Sequence, residues 1–518
     1  MKKSLLWEIT LVEYWGYNTM QECEMLDKGH WNKYIGKTEE NHRKIYDIDM
    51  VELAKKYGTP LYVLFEDIII SNYRNYQDTL NREYEKNLIC YAVKANTSYY
   101  VLNLLSKLGS GADVASEYEL QLALDAGIPA DKIRANGNCK SEYYLQQCIK
   151  NDIIINVDPE EELKSINVIA KALGKAAKIN LRFAGFPIKN ITSRSITTSS
   201  DWSKFGIDIK RSNSAFQKVL DLDMLTLNGL MVHLGSQITD ISAYYTVLDI
   251  FLDKTDEAQK LGIDIDEIDL GGGLGIQYFE MEDWNTIKKK IKNTRKENYT
   301  WANELIGYEY NPELGDLEWI GEDLSSIYTP DIFIQKLFNQ KTGNNNKQLP
   351  VKSFKEKLES IVTPRFVIEP GRSIVGNAGV TISKIGHVSK TPRGENIIHI
   401  AIGVNSHTFG TSVPEQLHRI EIANYVEHGE NFETFVAGNL CFTGDLLCKI
   451  KNKLARKPMK EDYILFYDTG AYSDFFASNA NSFPRPAKVI ITKDGTSKIL
   501  TRRANFSDIL SREIVDIK

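Results

Sequence analysis

Between about residue 60 and residue 375 the chain repeats one unit, a short apolar run followed by an amphipathic segment. The runs are Leu88–Lys94, Gly111–Ala115, Lys132–Asn136, Asp152–Val157, Lys178–Phe183, Leu227–Leu234, Glu267–Leu270 and Arg365–Ile368, eight in all. Between them, stretches such as Tyr99–Leu108, Glu117–Ala126 and Pro159–Leu173 place apolar residues at i, i+3 and i+4, the spacing of a one-sided helix. Eight strands alternating with helices predict a closed (β/α)8 barrel, with an open doubly wound sheet as the alternative. The barrel is favoured because polar and glycine-rich clusters follow nearly every run and would all fall on one rim. Barrel chemistry sits at the carboxyl ends of the strands. Here those ends carry Lys94, Asp113, Asn136, Arg182, His233 with Ser236, Gly271-Gly272-Gly273, and Glu369 with Arg372.

The rest of the chain has a different texture. Val380–Ile385, Asn396–Gly403, Phe435–Asn439 and Ala487–Ile491 are β-like, and Asp494-Gly495 marks a hairpin turn. The expected division is a segment 1–58 joining a C-terminal β-sandwich or barrel domain at 379–518, around a barrel at 59–378. The stretch 277–362 is too long for one βα connection and reads as an insertion. Its aromatic, acidic part, Trp301–Trp319, is expected to be a lid or a contact surface.

Composition excludes several classes. A net charge of -6 over 518 residues gives no support for nucleic-acid or membrane partners. No stretch approaches the ~20 apolar residues of a membrane span, and Glu8 and Glu13 cut short the signal-like opening Met1–Trp7. The eight histidines show no metal-ligand spacing, so no metal is expected. Six cysteines without a CxxC pair fit a reduced, cytoplasmic protein.

Several motifs could carry chemistry, each with a plainer reading beside it. Lys94 closes an apolar strand. Burial there disfavours the ammonium and can make the amine nucleophilic, although a lysine after a strand is often just where the strand meets water. The glycine triplet could encircle a phosphate with backbone N–H groups, or simply make a tight turn. Glu369-Pro370-Gly371-Arg372 offers a carboxylate for a ring nitrogen and a guanidinium for a phosphate, or a surface salt bridge at a turn. His233 could stack on a flat ring or be a structural residue. In Gly438–Asp445, Cys441 could be a proton donor or inert packing. Tyr472 offers a phenol to a phosphate.

Taken in order, Tyr91-Ala92-Val93-Lys94-Ala95-Asn96, Ala112-Asp113-Val114-Ala115-Ser116, His233-Leu234-Gly235-Ser236, Gly271-Gly272-Gly273, Glu369-Pro370-Gly371-Arg372, Gly438–Asp445 and Gly470-Ala471-Tyr472 resemble the fold type III decarboxylases that depend on pyridoxal 5'-phosphate (PLP). Within that family they are most like the diaminopimelate decarboxylases. The resemblance covers roughly residues 45–275 and 363–495. It implies an alanine racemase-like barrel, PLP as cofactor, decarboxylation of an α-amino acid and a homodimer with shared active sites. Lys94 is similar to the lysine that holds PLP covalently, and His233 to the residue stacked on its ring. Glu369 matches the partner of the ring nitrogen. Ser236, Gly271, Gly272, Gly273, Gly371, Arg372 and Tyr472 match phosphate and cofactor contacts, and Asp113 a residue near the lysine. Cys441 matches a cysteine delivered by the partner subunit. With Lys94 and His233 it completes the implied catalytic set. Arg372, Cys441, Phe442, Asp445 and Tyr472 are expected at the substrate.

Two features depart from the family. Diaminopimelate decarboxylases carry a glutamate directly after that cysteine, where this chain has Phe442. Their arginine-proline-x-leucine-tyrosine-like element is missing from Gly403–Thr408. The cofactor residues are kept while those reading the far end of the substrate have changed, which points to a specialised amino acid. A PLP-dependent racemase or epimerase, and a non-catalytic binding protein of this type, are the alternatives.

Overall fold

A computed structural model describes residues 29–188, 198–200, 202–321, 323–342, 352–360, 363–407, 417–426, 429–474 and 477–514. The eight expected runs are eight parallel strands: β1 (Asn87–Ala92), β2 (Gly111–Val114), β3 (Ile133–Ala135), β4 (Ile154–Val157), β5 (Ala177–Ala184), β6 (Leu225–Met231), β7 (Glu267–Asp269) and β8 (Arg365–Ile368). They pair in the order β5-β6-β7-β8-β1-β2-β3-β4, and β4 returns to β5, so the sheet closes. Serine side chains cap two of the surrounding helices. Ser116 accepts from the Glu119 amide at the start of Glu117–Asp125, and Ser141 accepts from the Tyr144 amide at the start of Glu142–Lys150.

The barrel interior is polar as well as apolar. Arg134 on β3 forks onto the Glu267 carboxylate on β7. These strands lie four apart in the ring, so the pair spans the interior. Both side chains are buried, and each satisfies the other's charge and hydrogen-bonding groups.

The second sheet runs Leu446–Leu454, Phe432–Ala437, Asn396–Ile400, Gly379–Lys390, Leu61–Phe65, Ala487–Ile491, Ser497–Thr501. Tyr463–Tyr467 pairs with Gly379–Lys390 and with Ile420–Ile422. The expected hairpin forms at Asp494-Gly495, with Ile491 opposite Ser497. Leu61–Phe65 lies on the barrel side of the expected boundary at residue 59, yet it sits inside this second sheet. It is antiparallel to Gly379–Lys390 and parallel to Ala487–Ile491. All five of its residues are buried, as a strand covered on both faces requires. The segment 29–58 also meets this sheet. The Arg43 amide donates to the Ala423 carbonyl (2.7 Å), its guanidinium pairs with Glu421, and Trp31 Nε1 donates to Asp468 (2.8 Å). The signal-like opening lies outside the described residues.

In the insertion, Tyr308–Asn311 and Asp316–Trp319 form a hairpin. Trp319 turns inward, edge-on to Trp284 (5.4 Å between ring centres). Helix Pro330–Asn339 packs against Glu66–Glu83, and Phe338 stacks near Tyr84 at 5.7 Å. Asn344, Asn345 and Asn346, which the sequence reads as a solvated loop, are outside the described residues. Among the described residues no helix is long and apolar enough to cross a membrane.

Candidate active site

The carboxyl rim of the barrel gathers most of the expected residues into one connected group. Lys94 lies in a 3-10 turn, Val93–Ala95, directly after β1. Its Nζ donates to Asp113 Oδ2 on the neighbouring strand at 2.5 Å. Asn136, just past β3, donates from Nδ2 to Asp113 Oδ1 (2.6 Å) and to Glu369 Oε1 (2.9 Å), which follows β8. Three adjacent strand ends and the closing strand thus meet at one amide.

The electrostatics differ from the expectation for Lys94. Burial disfavours its ammonium, but the charge of Asp113, in direct contact, outweighs that cost and holds the amine above the ordinary lysine value. The free protein therefore carries a cation there. Burial, together with the nearby Asp113 and Asp269, pushes the Glu369 carboxyl well up. Burial and Glu267 raise Asp269 to about 7. Its Oδ1 accepts from the Gly271 amide (2.8 Å), while its buried Oδ2 has no hydrogen-bond partner among the described residues. His233 is held well below the usual histidine range by burial and by the cations Lys94 and Arg182. Its Nδ1 accepts from the Gly272 amide (3.1 Å), so the neutral ring carries its proton on Nε2.

The glycine triplet follows β7 and needs to be glycine. Gly271 and Gly273 have φ of +64° and +110°. A Cβ would lie 2.5 Å from the Val232 oxygen at Gly271, 2.2 Å from the Glu369 oxygen at Gly272 and 2.6 Å from the Gly235 oxygen at Gly273. Nearby, Arg372 donates from Nη2 to Ser236 Oγ (3.1 Å) and from Nη1 to Tyr278 Oη (2.6 Å), and its guanidinium lies over the Tyr472 ring at 4.9 Å. Tyr472 is tied to the lysine turn, its amide donating to the Ala95 carbonyl (2.9 Å). Gly371 packs its α-carbon where a Cβ would meet Ala95 and Ala92.

Other expected residues stand apart. The Arg182 guanidinium pairs with Asp158 (3.0 Å) and covers the Phe205 ring (4.4 Å). Cys441 is exposed, as is Phe442 at 57%, and the Cys441 amide donates to Asn481 (2.8 Å). Asp445 was expected at the substrate. Instead its two oxygens accept from the amides of Val404 (2.7 Å) and Leu440 (2.6 Å), which makes it a clamp of its own loop. Three residues were not anticipated. Asn156 and Asn180 extend the amide contacts of Asn136, and Tyr278 props Arg372. Asparagine inside the apolar runs Asp152–Val157 and Lys178–Phe183 was a readable signal, since strands are poor in it. Tyr278 had none.

These residues suit PLP. Arg372, Ser236 and a loop free of side chains offer a place for a phosphate. Lys94 offers an amine for an aldehyde, Glu369 a buried carboxyl for a basic ring nitrogen, and His233 a neutral flat ring.

Comparison with known proteins agrees. Residues 67–306 match the family model "Pyridoxal-dependent decarboxylase, pyridoxal binding domain". The diaminopimelate decarboxylase of Methanocaldococcus jannaschii is 31% identical over 474 residues, 90% of this chain and 94% of that protein. The one from Aquifex aeolicus is 30% identical, again over 90% of this chain and 94% of its own length. The crystal structure of the M. jannaschii enzyme in complex with L-lysine superimposes with a TM-score of 0.75 at 29% identity, covering 94% of this chain and 98% of that one. Sequence identity and superposition extend over nearly the whole length, and the chain belongs to the fold type III PLP-dependent amino acid decarboxylases, the family that holds the diaminopimelate decarboxylases.

Proposed function

We propose that this decarboxylase acts on an α-amino acid whose far end is read without a carboxylate at position 442, and that the rim group of Lys94 is its catalytic site. The observation that carries the reading is the single connected network from Lys94 through Asp113 and Asn136 to Glu369, with Arg372 and Ser236 beside the glycine loop. Bound PLP would supply the electron sink for the pair left by the Cα–carboxylate bond. Lys94 would hold the cofactor at its aldehyde carbon, and Ser236, Gly271, Gly272, Gly273, Gly371, Arg372 and Tyr472 would hold its phosphate. Glu369 would be the partner of the ring nitrogen, its charged form favoured by the cation there. His233, neutral with its proton on Nε2, would pack against the ring, and the Cys441 thiol would be the proton donor to the substrate's Cα.

The exposure of Cys441 and Phe442 supports delivery of this loop into the site of a second copy, in a homodimer. The five described cysteines are all free, which supports a cytoplasmic setting. The same reading divides the chain near residue 378 into a barrel unit, with the insertion, and a β unit that also takes in the N-terminal segment and the Leu61–Phe65 strand. The test is carbon dioxide release from a panel of amino acids that includes diaminopimelate, the substrate named for the relatives. An amino acid without a second charged head group is expected to give the highest kcat/KM. Diaminopimelate as the best substrate would overturn the specificity reading.

A further inference from the structure

The asparagines inside the barrel form a ladder with a direction. Asn228 Nδ2 donates to Asn180 Oδ1, Asn180 Nδ2 to Asn156 Oδ1, and Asn156 Nδ2 to Asn136 Oδ1, each at 3.0 Å. Asn136 then spends both of its N–H bonds on carboxylates, one on Asp113 and one on Glu369. Asp113, in contact with the Lys94 ammonium, only accepts, so it fixes which way the last amide points, and each amide behind it follows. Turning Asn136 over would aim its oxygen at two carboxylates. Asn136, Asn156 and Asn180 are all buried, so bulk water cannot replace these bonds. Aligned amides also polarise one another, and the donor ends of this ladder face the site.

We propose that Asn136 is a positioning residue for PLP, one carboxamide fixing the counter-ion of Lys94 and the ring-nitrogen partner Glu369 at a set spacing, with the ladder behind it holding that carboxamide in place. Asp113 and Glu369 are two acidic groups in one buried site, and the charge of Asp113 makes ionisation of Glu369 less favourable. A shared donor lets both accept. Without it Glu369 turns neutral more readily and offers less to a protonated ring nitrogen. Asn136 touches neither the aldehyde end nor the phosphate end of the proposed site, so its effect runs through these two carboxylates.

The test is the affinity of the apo-protein for PLP, followed by absorbance titration and independent of any substrate. Asn136→Leu is expected to weaken binding roughly tenfold or more, the loss typical of a hydrogen bond to a charged group. Asn228→Ala, at the far end of the ladder, should weaken it much less while lowering the melting temperature of the apo-protein comparably. In a Glu369→Gln background the effect of Asn136→Leu should shrink, because the carboxylate it serves is gone. Wild-type affinity in Asn136→Leu overturns the assignment, as does an equal loss with and without Glu369, or a loss matched by Asn228→Ala. If Asn136→Leu fails to fold, Asn136→Ser decides, since its hydroxyl keeps one donor. An affinity within about twofold of wild type would then count against the proposal. None of these readings depends on which amino acid is decarboxylated.

Discussion

Lys94 waits for its cofactor as a cation, and this has a measurable consequence. Only the free amine attacks an aldehyde, and its fraction rises about tenfold per pH unit below the amine's pKa. Asp113 chiefly keeps that pKa above the usual lysine value. The rate at which apo-protein takes up PLP should therefore climb steeply from pH 7 to 8.5 in stopped-flow absorbance, and a flat profile would contradict this charge assignment. Asp113→Asn removes the strongest raising charge and leaves the burial, so its uptake at pH 7 should be faster than wild type. Lys94→Ala should lose both the bound-cofactor absorbance and turnover. Asp468 makes a different prediction. Burial raises it to about 7 against the partial relief of Arg419 and the Trp31 bond. A carboxyl that keeps its proton longer when folded adds stability below its unfolded value, and that stability fades as pH rises through about 7. Asp468→Asn keeps an acceptor for Trp31 and cannot ionise. The stability of wild type relative to this variant should fall by about 3 kcal/mol between pH 4.5 and 7.5 in urea denaturation of the apo-protein. A constant difference would show that Asp468 does not titrate in this range.

Strands and loops were legible to different degrees. The eight barrel strands lie within a few residues of the apolar runs because each is short, buried and bounded by its own helix, so local pattern and final position coincide. The boundary expected at residue 59 leaves Leu61–Phe65 on the barrel side because its partners lie at 379–390 and 487–491, and nothing local marks so distant a pairing. The glycine triplet could be read since glycine has few other reasons to recur three times after a strand. The Asn136 ladder was only half visible. Asn136 stood at a strand end, while Asn156 and Asn180 hid inside apolar runs. The loop also gives a direct test. A Cβ on Gly272 would sit 2.2 Å from the Glu369 oxygen, so Gly272→Ala must push apart the ends of β7 and β8. It should cost about 1–3 kcal/mol of apo stability and weaken PLP binding at least about tenfold. Unchanged affinity would show that the loop does not cradle the cofactor.

For the molecule as a whole, one chain assembles the cofactor end of the site and leaves the Cys441 loop facing outward. In the sequence only the family resemblance assigns Cys441 to the partner subunit, since no local pattern marks which copy supplies it. If two copies share their sites, mixing inactive Lys94→Ala and Cys441→Ala dimers under exchange conditions should restore roughly a quarter of wild-type activity, because heterodimers contain one intact site. No recovery despite proven exchange would place both residues in the same site of one chain.

The location of Leu61–Phe65 also sets a timetable for synthesis. This strand leaves the ribosome about 300 residues before the first of its two neighbours and about 420 before the second. The parallel barrel can close as soon as β8 emerges, whereas the early strand stays unpaired until Gly379–Lys390 follows and keeps its second edge open until 487–491 are made. A nascent chain stalled near residue 400 should therefore be the species that holdase chaperones grip most tightly, and its N-terminal sixty residues the place where they grip.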